Sequence, residues 1–287
     1  MSTIESSQRT INSHSAFQEA IDNSDSDIVR HLESNGTLRI CINRPALHNA
    51  FNDHVIALLI AAFDVAIKDD QVRVVILQSE GKSFSAGADL NWMKSMAKLN
   101  LEENRQDAAE LARLMHVIYS CPKPVIARIQ GASFGGALGL IACSDIAIAT
   151  NNARFCLSEV KIGLVPAVIS PYVSKAIGAR AAQRYFITAE QFNADKALQL
   201  GLVHEVVEHK DALAEKGQLL IDALLKNSPQ AIDKTKQLIQ TVSRGDINKG
   251  MRDYTVNLIA SIRVSSEGQE GLSSFLEKRK ANWVKES

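Results

Sequence analysis

The sequence lacks an apolar run long enough to span a membrane, and its first thirty residues contain no hydrophobic segment of the secretory-signal type. That opening stretch is rich in Ser, Asn, Asp and Gln, and Asp22, Asp25 and Asp27 argue against an acid-poor transit peptide. We therefore expect a cytoplasmic protein in which residues 1–32 form a polar, poorly ordered extension.

Cysteine is scarce, and charge of one sign is not in excess. The four cysteines form no C-x-x-C pair and no metal-binding spacing with histidine; they are Cys41, Cys121, Cys143 and Cys156. They lie in or beside apolar runs, so buried free thiols are expected rather than disulfides or a metal site.

The 32 basic and 32 acidic residues balance, which argues against a broad nucleic-acid-binding surface.

What is present is the composition of a globular protein: of 287 residues, 46% are hydrophobic and 22% charged. Leu38–Ile42 predicts a strand, and Asn52 is placed to cap a helix that ends at Lys68. Val72–Gln78 predicts a strand that is buried on both faces. Residues 82–88 follow it as a glycine-containing turn, and a helical stretch comes next.

The order of strand, tight turn and short helix recurs along the chain. The sequence predicts a strand at Val125–Ile129, a turn at 131–136, a helix at Ala137–Cys143 and a strand at Asp145–Ala149. A third version runs through residues 154–164. This succession predicts an α/β core over residues 33–210, arranged as a spiral of similar turns.

The character of the sequence changes at Asp211, after which no strand pattern is found. Predicted helices cover Asp211–Lys226, Pro229–Ser243, Asn248–Ile262 and Glu267–Trp283. A helical region at 211–287 is well placed to cover a functional site or to contact another subunit.

Glycines cluster between the predicted strand Val125–Ile129 and the helix that follows it. Gly135 and Gly136 open an apolar helix, where backbone N–H groups are unpaired and the helix dipole is positive. Neither G-x-G-x-x-G nor G-x-x-x-x-G-K-[ST], the signatures of nucleotide-binding loops, is present. The glycine pair either permits close helix–strand packing or provides a site for a developing negative charge.

Two other segments favour a site for a developing negative charge. Phe84–Leu90 places Gly87 directly before Ala88, in a turn after a buried strand. Glu159 lies among apolar residues, and a carboxylate in such surroundings has a raised pKa that suits proton transfer near neutral pH. The alternative for Glu159 is an acid at the surface or at a helix cap.

Six ordered motifs together resemble the enoyl-CoA hydratase/isomerase (crotonase) family and span residues 36–284. They are Asn43-Arg44-Pro45 with Asn49-Ala50, Phe84–Leu90, Gly131–Gly139, Ser158-Glu159 with Gly163 and Pro166, Gly201-Leu202-Val203, and Phe275–Trp283. Residues 135–140 and 156–171 are most similar to bacterial methylglutaconyl-CoA hydratases and their carboxygeranoyl-CoA relatives.

The resemblance implies a crotonase-like spiral of ββα turns, a C-terminal helical region for oligomerisation, and a homotrimer or homohexamer. It implies that the N–H groups of Ala88 and Gly136 hold a thioester carbonyl, each such donor contributing about 10²–10³ in rate at comparable sites. Glu159 would carry the proton. The implied partner is an acyl-CoA thioester, with no nucleic acid, no membrane and no metal or other cofactor, because CoA is part of the substrate.

The resemblance also implies CoA contacts from six residues: Leu47, Ala86, Asp89, Leu90, Phe275 and Lys278. The last two would belong to the C-terminal tail of a neighbouring subunit. Lys278 suits a phosphate contact, although residues 277–280 also fit an ordinary charged helix end.

Gly139 occupies a position where hydratases of the family often carry a second glutamate, so a single-carboxylate mechanism is predicted. The main prediction is a hydratase of 3-methylglutaconyl-CoA in leucine breakdown, with the substrate carboxylate helping to position water. One alternative is a Δ3,Δ2-enoyl-CoA isomerase with Glu159 as the sole proton shuttle. The other is a non-catalytic acyl-CoA-binding or scaffold protein.

Some further residues are open to two interpretations. Trp92, Met93 and Met96 either line an acyl pocket or form plain core, and Lys94 and Lys161 either meet a substrate carboxylate or are solvated. The histidines at 48, 54 and 116 have no recognisable triad partners, so a serine–histidine nucleophile is not supported.

Overall fold

The computed structural model describes residues 26–285, in which a large, mostly parallel sheet carries helices on both faces. The strands are β1 (Ile28–Leu32), β2 (Thr37–Ile42), β3 (Val74–Ser79), β4 (Val125–Ile129), β5 (Ala132–Phe134), β6 (Ile146–Thr150), β7 (Arg154–Cys156), β8 (Phe192–Asn193) and β9 (Glu205–Val207). Short 3-10 turns cover Pro45–Leu47 and Glu159–Ile162.

Helices fill the connections and form the C-terminal part. They are α1 (Asp53–Lys68), α2 (Leu90–Met96), α3 (Leu101–Ser120), α4 (Ala137–Cys143), α5 (Ser170–Ile177), α6 (Ala179–Thr188), α7 (Ala194–Leu200), α8 (Lys210–Leu225), α9 (Pro229–Val242), α10 (Lys249–Arg263) and α11 (Ser266–Leu276). Within residues 26–285, none of these helices is long and apolar enough to cross a membrane.

The strands build a spiral of two sheets. The large sheet has the order β1-β2-β3-β4-β6-β9, with β1 antiparallel to β2 and the other neighbours parallel. The small sheet has the order β5-β7-β8, and Ser85 forms an isolated bridge to Ser133 beside it. Successive turns of the chain thus add a segment to each layer, which confirms the expected spiral of ββα turns.

The two faces of the large sheet have separate apolar cores. Leu38, Leu77 and Ala127 face the main core, which α1, α3 and α4 cover. Val74 and Ile126 face the other side, where they pack against Leu213 and Ile221 of α8. The alternation of faces along each strand follows from the two-residue repeat of side chains in a strand.

Local sequence signals explain several elements. The Asn52 side chain accepts a hydrogen bond from the Val55 amide at 3.0 Å and so caps α1, as expected. The bounds of β4 and α4 agree with those predicted. Since β3 and β4 are parallel, the turns that follow Ser79 and Ile129 emerge at the same edge of the sheet, where open α/β sheets place their ligands.

The expected boundary of the N-terminal extension is wrong for residues 28–32, which form β1. This strand pairs antiparallel with β2, in a register that sets Ile28 opposite Ile42 and Leu32 opposite Leu38. Five residues next to a polar stretch give too short an alternation to be recognised from the sequence. Residues 1–25 lie outside the described residues.

Two further expectations are corrected. The segment 131–136 is not only a turn, because it contains β5. The helix expected to reach Trp283 ends at Leu276, after which Lys278 adopts a left-handed φ of +54°. The chain then folds back: Arg279 forms two hydrogen bonds with Glu270, at 2.6 and 2.9 Å, and these tertiary contacts replace the last helical turns.

Candidate active site

Two glycine-containing turns meet at the edge where β3 and β4 end. Gly87 has a φ of +89°, and a Cβ at this position would lie 2.8 Å from the carbonyl oxygen of Phe134. Glycine alone combines that left-handed backbone with so close an approach. The turn that carries Ala88 therefore packs directly against the turn that leads to Gly135 and Gly136.

Phe51 holds both turns in place, although the sequence analysis did not single it out. Its amide donates to the Gly87 carbonyl at 2.9 Å, and its own carbonyl accepts from the Asp89 amide at 3.0 Å. Its buried ring occupies the space beside Gly136, where an added Cβ would lie 2.6 Å from Cζ. The only signal in the sequence was an aromatic residue directly after Asn49-Ala50, and its contacts depend on the tertiary fold.

The amides of Ala88 and Gly136 donate no hydrogen bond within residues 26–285. Amides next to them do: Gly87 N donates to Ser85 Oγ at 3.2 Å, and Gly135 N donates to the Cys156 carbonyl at 2.9 Å. The structure thus leaves two N–H groups uncommitted on adjacent turns. Such a pair is suited to stabilise negative charge on a substrate oxygen.

Glu159 brings a carboxylate to the same place. Its Oε1 lies 3.3 Å from the position that a Cβ of Gly135 would take. Its Oε2 is buried and has no hydrogen-bond partner in the described part of the chain. Burial raises the pKa of Glu159. Its own backbone amide offsets this effect only in part. A carboxyl with a raised pKa and one oxygen without a partner suits proton transfer.

Gly139 faces a closed, apolar environment further along α4. A Cβ added there would overlap Ile169 Cγ2 and would lie 2.8 Å from Met115 Sδ. Both of these side chains are buried. Apolar atoms therefore fill the space that a side chain at position 139 would need, and this position cannot supply a second carboxylate without displacing them.

Buried polar groups tie the segment 43–50 to the turn after β3. The Asn49 side chain donates to the carbonyls of Glu80 and Ser83 at 2.6 and 2.7 Å, and it accepts from the Arg44 amide at 2.8 Å. Arg44 in turn pairs with Asp89 at 3.2 Å, next to Ala88. The motif Asn43-Arg44-Pro45 with Asn49 thus fixes the position of the turn that carries the first free amide.

The carboxylate of Asp89 is committed to this structure. It accepts a hydrogen bond from the Asn91 amide at 2.8 Å, as the cap of α2, and it pairs with Arg44. Burial on its own would raise the pKa of Asp89, but the Asn91 amide and the Arg44 charge outweigh it and hold the pKa below its usual value. A CoA contact by Asp89 stays a prediction.

The other predicted CoA contacts lie at the protein surface or close to it. Leu47 and Leu90 are 50% and 73% exposed, and the half-buried Ala86 is hydrogen-bonded to the turn that carries Leu47. Phe275 and Lys278 are exposed at the end of α11. These five roles stay predictions.

The structure distinguishes among the residues for which the sequence allowed either an acyl-pocket role or a packing or solvated role. Trp92 Nε1 donates to Asp107 Oδ1 at 3.1 Å, so Trp92 ties α2 to α3, which favours a packing role. Met93 and Met96 are half-buried, whereas Lys94 and Lys161 are exposed. Lys161 lies on the 3-10 turn that Glu159 begins.

Comparisons with known proteins identify the family of this chain. The sequence profile of the family described as enoyl-CoA hydratase/isomerase matches residues 33–286. The crystal structure of an enoyl-CoA hydratase from Shewanella pealeana is 49% identical, with a TM-score of 0.89, and the match covers 92% of this chain and 98% of that one. The chain therefore belongs to the enoyl-CoA hydratase/isomerase family, whose chemistry is hydration or isomerisation of acyl-CoA thioesters.

Named relatives include both kinds of enzyme. The 2,3-dehydroadipyl-CoA hydratase of Escherichia coli is 28% identical over 84% of this chain and 92% of its own length. The trans-2-decenoyl-[acyl-carrier-protein] isomerase of Streptococcus mutans is 29% identical over 87% of this chain and 95% of its own length. Similarity alone therefore leaves hydration and isomerisation both open.

A pair of glycine substitutions tests the contact between the two turns. Gly178 has a φ of +78° and a ψ of 154°, with nothing within 4 Å of an added Cβ, so Gly178→Ala introduces only backbone strain, about 1–3 kcal/mol. Gly87→Ala introduces similar strain and also pushes on the Phe134 carbonyl, which displaces the free amides. We expect kcat to fall by about 10²-fold in Gly87→Ala and to stay near wild type in Gly178→Ala, measured as initial rates with an enoyl-CoA. Equal activities at equal loss of unfolding free energy would contradict this.

Proposed function

We propose that this protein is a hydratase that adds water across the α,β double bond of 3-methylglutaconyl-CoA, in leucine catabolism. The observation that carries the proposal is the buried carboxylate oxygen Oε2 of Glu159, which has no partner in the described residues, beside the uncommitted amides of Ala88 and Gly136. The resemblance of residues 135–140 and 156–171 to methylglutaconyl-CoA hydratases supports the choice of substrate.

The reaction would need only these groups. The thioester oxygen accepts hydrogen bonds from the two amides, so negative charge can move onto it. The Glu159 carboxylate takes a proton from water as the hydroxyl oxygen bonds to the β carbon, which leaves an enolate. Glu159 then returns that proton to the α carbon, and the thioester carbonyl re-forms. One hydrogen and one hydroxyl have been added, and Glu159 is again ionised.

The substrate itself supplies what position 139 does not. The 3-methylglutaconyl group ends in a carboxylate that can accept the second hydrogen of the attacking water. Position 139 cannot take this role, because Ile169 and Met115 fill the space of its side chain. Lys161, exposed near Glu159, is a cation that such a carboxylate would meet. A relative named for hydration of 2,3-dehydroadipyl-CoA, another substrate with a terminal carboxylate, adds support.

Glu159→Gln is expected to reduce hydration of 3-methylglutaconyl-CoA by at least about 10²-fold, because an amide cannot accept the proton from water. The loss of enoyl-thioester absorbance measures the rate. Glu208→Gln, at an exposed glutamate, is the control. Because burial raises the pKa of Glu159 and the ionised form is the base, kcat/KM should fall as pH is lowered through a pKa above the ordinary value of about 4.3.

Two results would contradict the scheme. Near-full activity in Glu159→Gln would exclude the single-acid mechanism. Equal kcat with 3-methylcrotonyl-CoA, which has the same methyl group but no carboxylate, would show that the substrate carboxylate does not position water.

A second function is favoured by the closed environment of Gly139. Isomerisation of a 3-enoyl-CoA to a 2-enoyl-CoA needs no water and only one proton shuttle. Glu159 would remove a proton from the α carbon, the amides would hold the resulting dienolate, and Glu159 would return the proton at the γ carbon. The relative that is named as an isomerase supports this alternative.

A 3-enoyl-CoA supplied in H₂¹⁸O separates the two functions. An isomerase is expected to give the 2-enoyl-CoA without ¹⁸O, whereas the proposed hydratase gives ¹⁸O-labelled 3-hydroxyacyl-CoA from 3-methylglutaconyl-CoA. Mass spectrometry of the products measures both. Binding of CoA esters with no turnover of either substrate would instead favour a non-catalytic acyl-CoA-binding protein.

We also propose a cytoplasmic homotrimer or homohexamer, with Phe275 and Lys278 of one subunit meeting the CoA of another. Exposed apolar side chains on and between the C-terminal helices support an assembly, because such surfaces are costly in water; they include Ile239, Val242, Ile247, Val256, Ile259 and Val264. Sedimentation is expected to give three or six times the 31.3 kDa chain mass, and a monomer would contradict the proposal.

A further inference from the structure

A buried arginine lies on the face of the large sheet that turns away from Glu159. Arg128 is on β4 between Ala127 and Ile129, whose side chains face the main core, so its own side chain faces α8. It is 6% exposed and lies among the apolar residues that α8 covers. A guanidinium in such a place is costly unless other groups compensate its charge.

The charge of Arg128 is poorly compensated. Its Nη2 donates to the Ala214 carbonyl at 3.3 Å, and its buried Nε has no partner within residues 26–285. Burial, together with the nearby charge of Arg39, lowers the pKa of Arg128 to about 10, and Glu33 offsets this only in part. The side chain is therefore still a cation at pH 7, with one donor unused.

The helix that covers Arg128 has a glycine where the two are in contact. A Cβ at Gly217, in the middle of α8, would overlap Nε and Nη2 of Arg128. Glycine is unfavourable inside a helix, and an unpaired buried charge is unfavourable in a core. The fold therefore retains two unfavourable features at one place.

A cavity of about 320 Å³ opens in front of this arginine. Arg39, Lys210 and Gln78 contribute further donors to its lining, whereas Glu80 and Asp211 are the acids. Glu80 is already paired with Lys210 at 3.6 Å, and Asp211 is exposed to solvent. Arg39 is paired with Glu33. Of the two charged residues of the lining that form no ion pair within residues 26–285, Asp211 is exposed to solvent and Arg128 is buried.

We propose that this cavity binds a small oxyanion, the carboxylate or phosphate group of a small molecule, with Arg128 as its anchor and Arg39 and Lys210 at its rim. The fork of N–H donors on a guanidinium matches the oxygen spacing of both groups. The site lies across the sheet from Glu159, so it does not depend on the proposed function.

Removal of the charge distinguishes a ligand site from a structural role. If Arg128 stabilises the fold, Arg128→Met should lower the melting temperature. If Arg128 instead serves to bind an anion, Arg128→Met should leave the melting temperature of the anion-free protein unchanged or raise it. Replacing a buried charge by a hydrophobic residue of similar length is often stabilising.

The full chain is titrated with inorganic phosphate and with succinate in a buffer free of other oxyanions, at ionic strength held constant with sodium chloride. We expect a saturable rise in the melting temperature of the wild type and a calorimetric binding signal at least tenfold weaker in Arg128→Met. Arg105→Met, at an exposed arginine on α3, is the matched control and should respond like the wild type. Arg39→Gln should weaken binding too, and it serves as the variant if Arg128→Met does not fold.

A response to phosphate alone identifies a phosphate group as the ligand, and a response to succinate alone identifies a carboxylate. Either one supports the proposal, as does unchanged enoyl-CoA turnover in Arg128→Met. No response in the wild type, or an equal response in Arg128→Met, overturns it. Loss of the phosphate response on saturation with CoA would assign the anion site to the substrate and overturn the claim of a separate site.

Discussion

The contact between Gly87 and the Phe134 carbonyl is the constraint on which the rest of the site depends. It brings together two turns that are distant in the chain, since Gly87 and Phe134 are 47 residues apart. Because the two turns are in contact, we expect the amides of Ala88 and Gly136 to act on one substrate oxygen. The Phe51 ring and backbone then fix the pair, with the backbone paired to residues 87–89 and the ring against Gly136.

The same packing leaves polar groups without partners, and the proposed chemistry uses these groups. Two amides and one carboxylate oxygen lack partners in the described chain. A buried polar group without a partner costs about 1–3 kcal/mol. A thioester oxygen and a water molecule or acidic C–H would satisfy these groups, most strongly when charge develops in the transition state. The backbone turns hold the donors in place beforehand, so no reorganisation is needed at the moment of reaction.

Much of this was predictable, because its signals are local. Val125–Ile129 is a short, mostly apolar segment between Pro124 and Gly131, and Ala137–Cys143 is an apolar segment that follows Gly135 and Gly136. Glu159 stands out as an acid among apolar residues. The failures are contacts over long distances. The end of α11 at Leu276 depends on Arg279 folding back onto Glu270, and β1 depends on the free edge of β2.

Gly139 shows where sequence and structure have to be read together. In the sequence it is an absent carboxylate, which leaves room for a water molecule or a substrate group. In the structure Ile169, 30 residues later, and Met115, 24 residues earlier, close that room. Any second contact to an attacking water must then come from the backbone or from the substrate. A hydratase with this arrangement would be most active on a substrate that carries its own hydrogen-bond acceptor for the attacking water. An isomerase uses no water, so the exclusion of water favours its reaction directly. The filled space beside Gly139 thus links the mechanism to the choice of substrate.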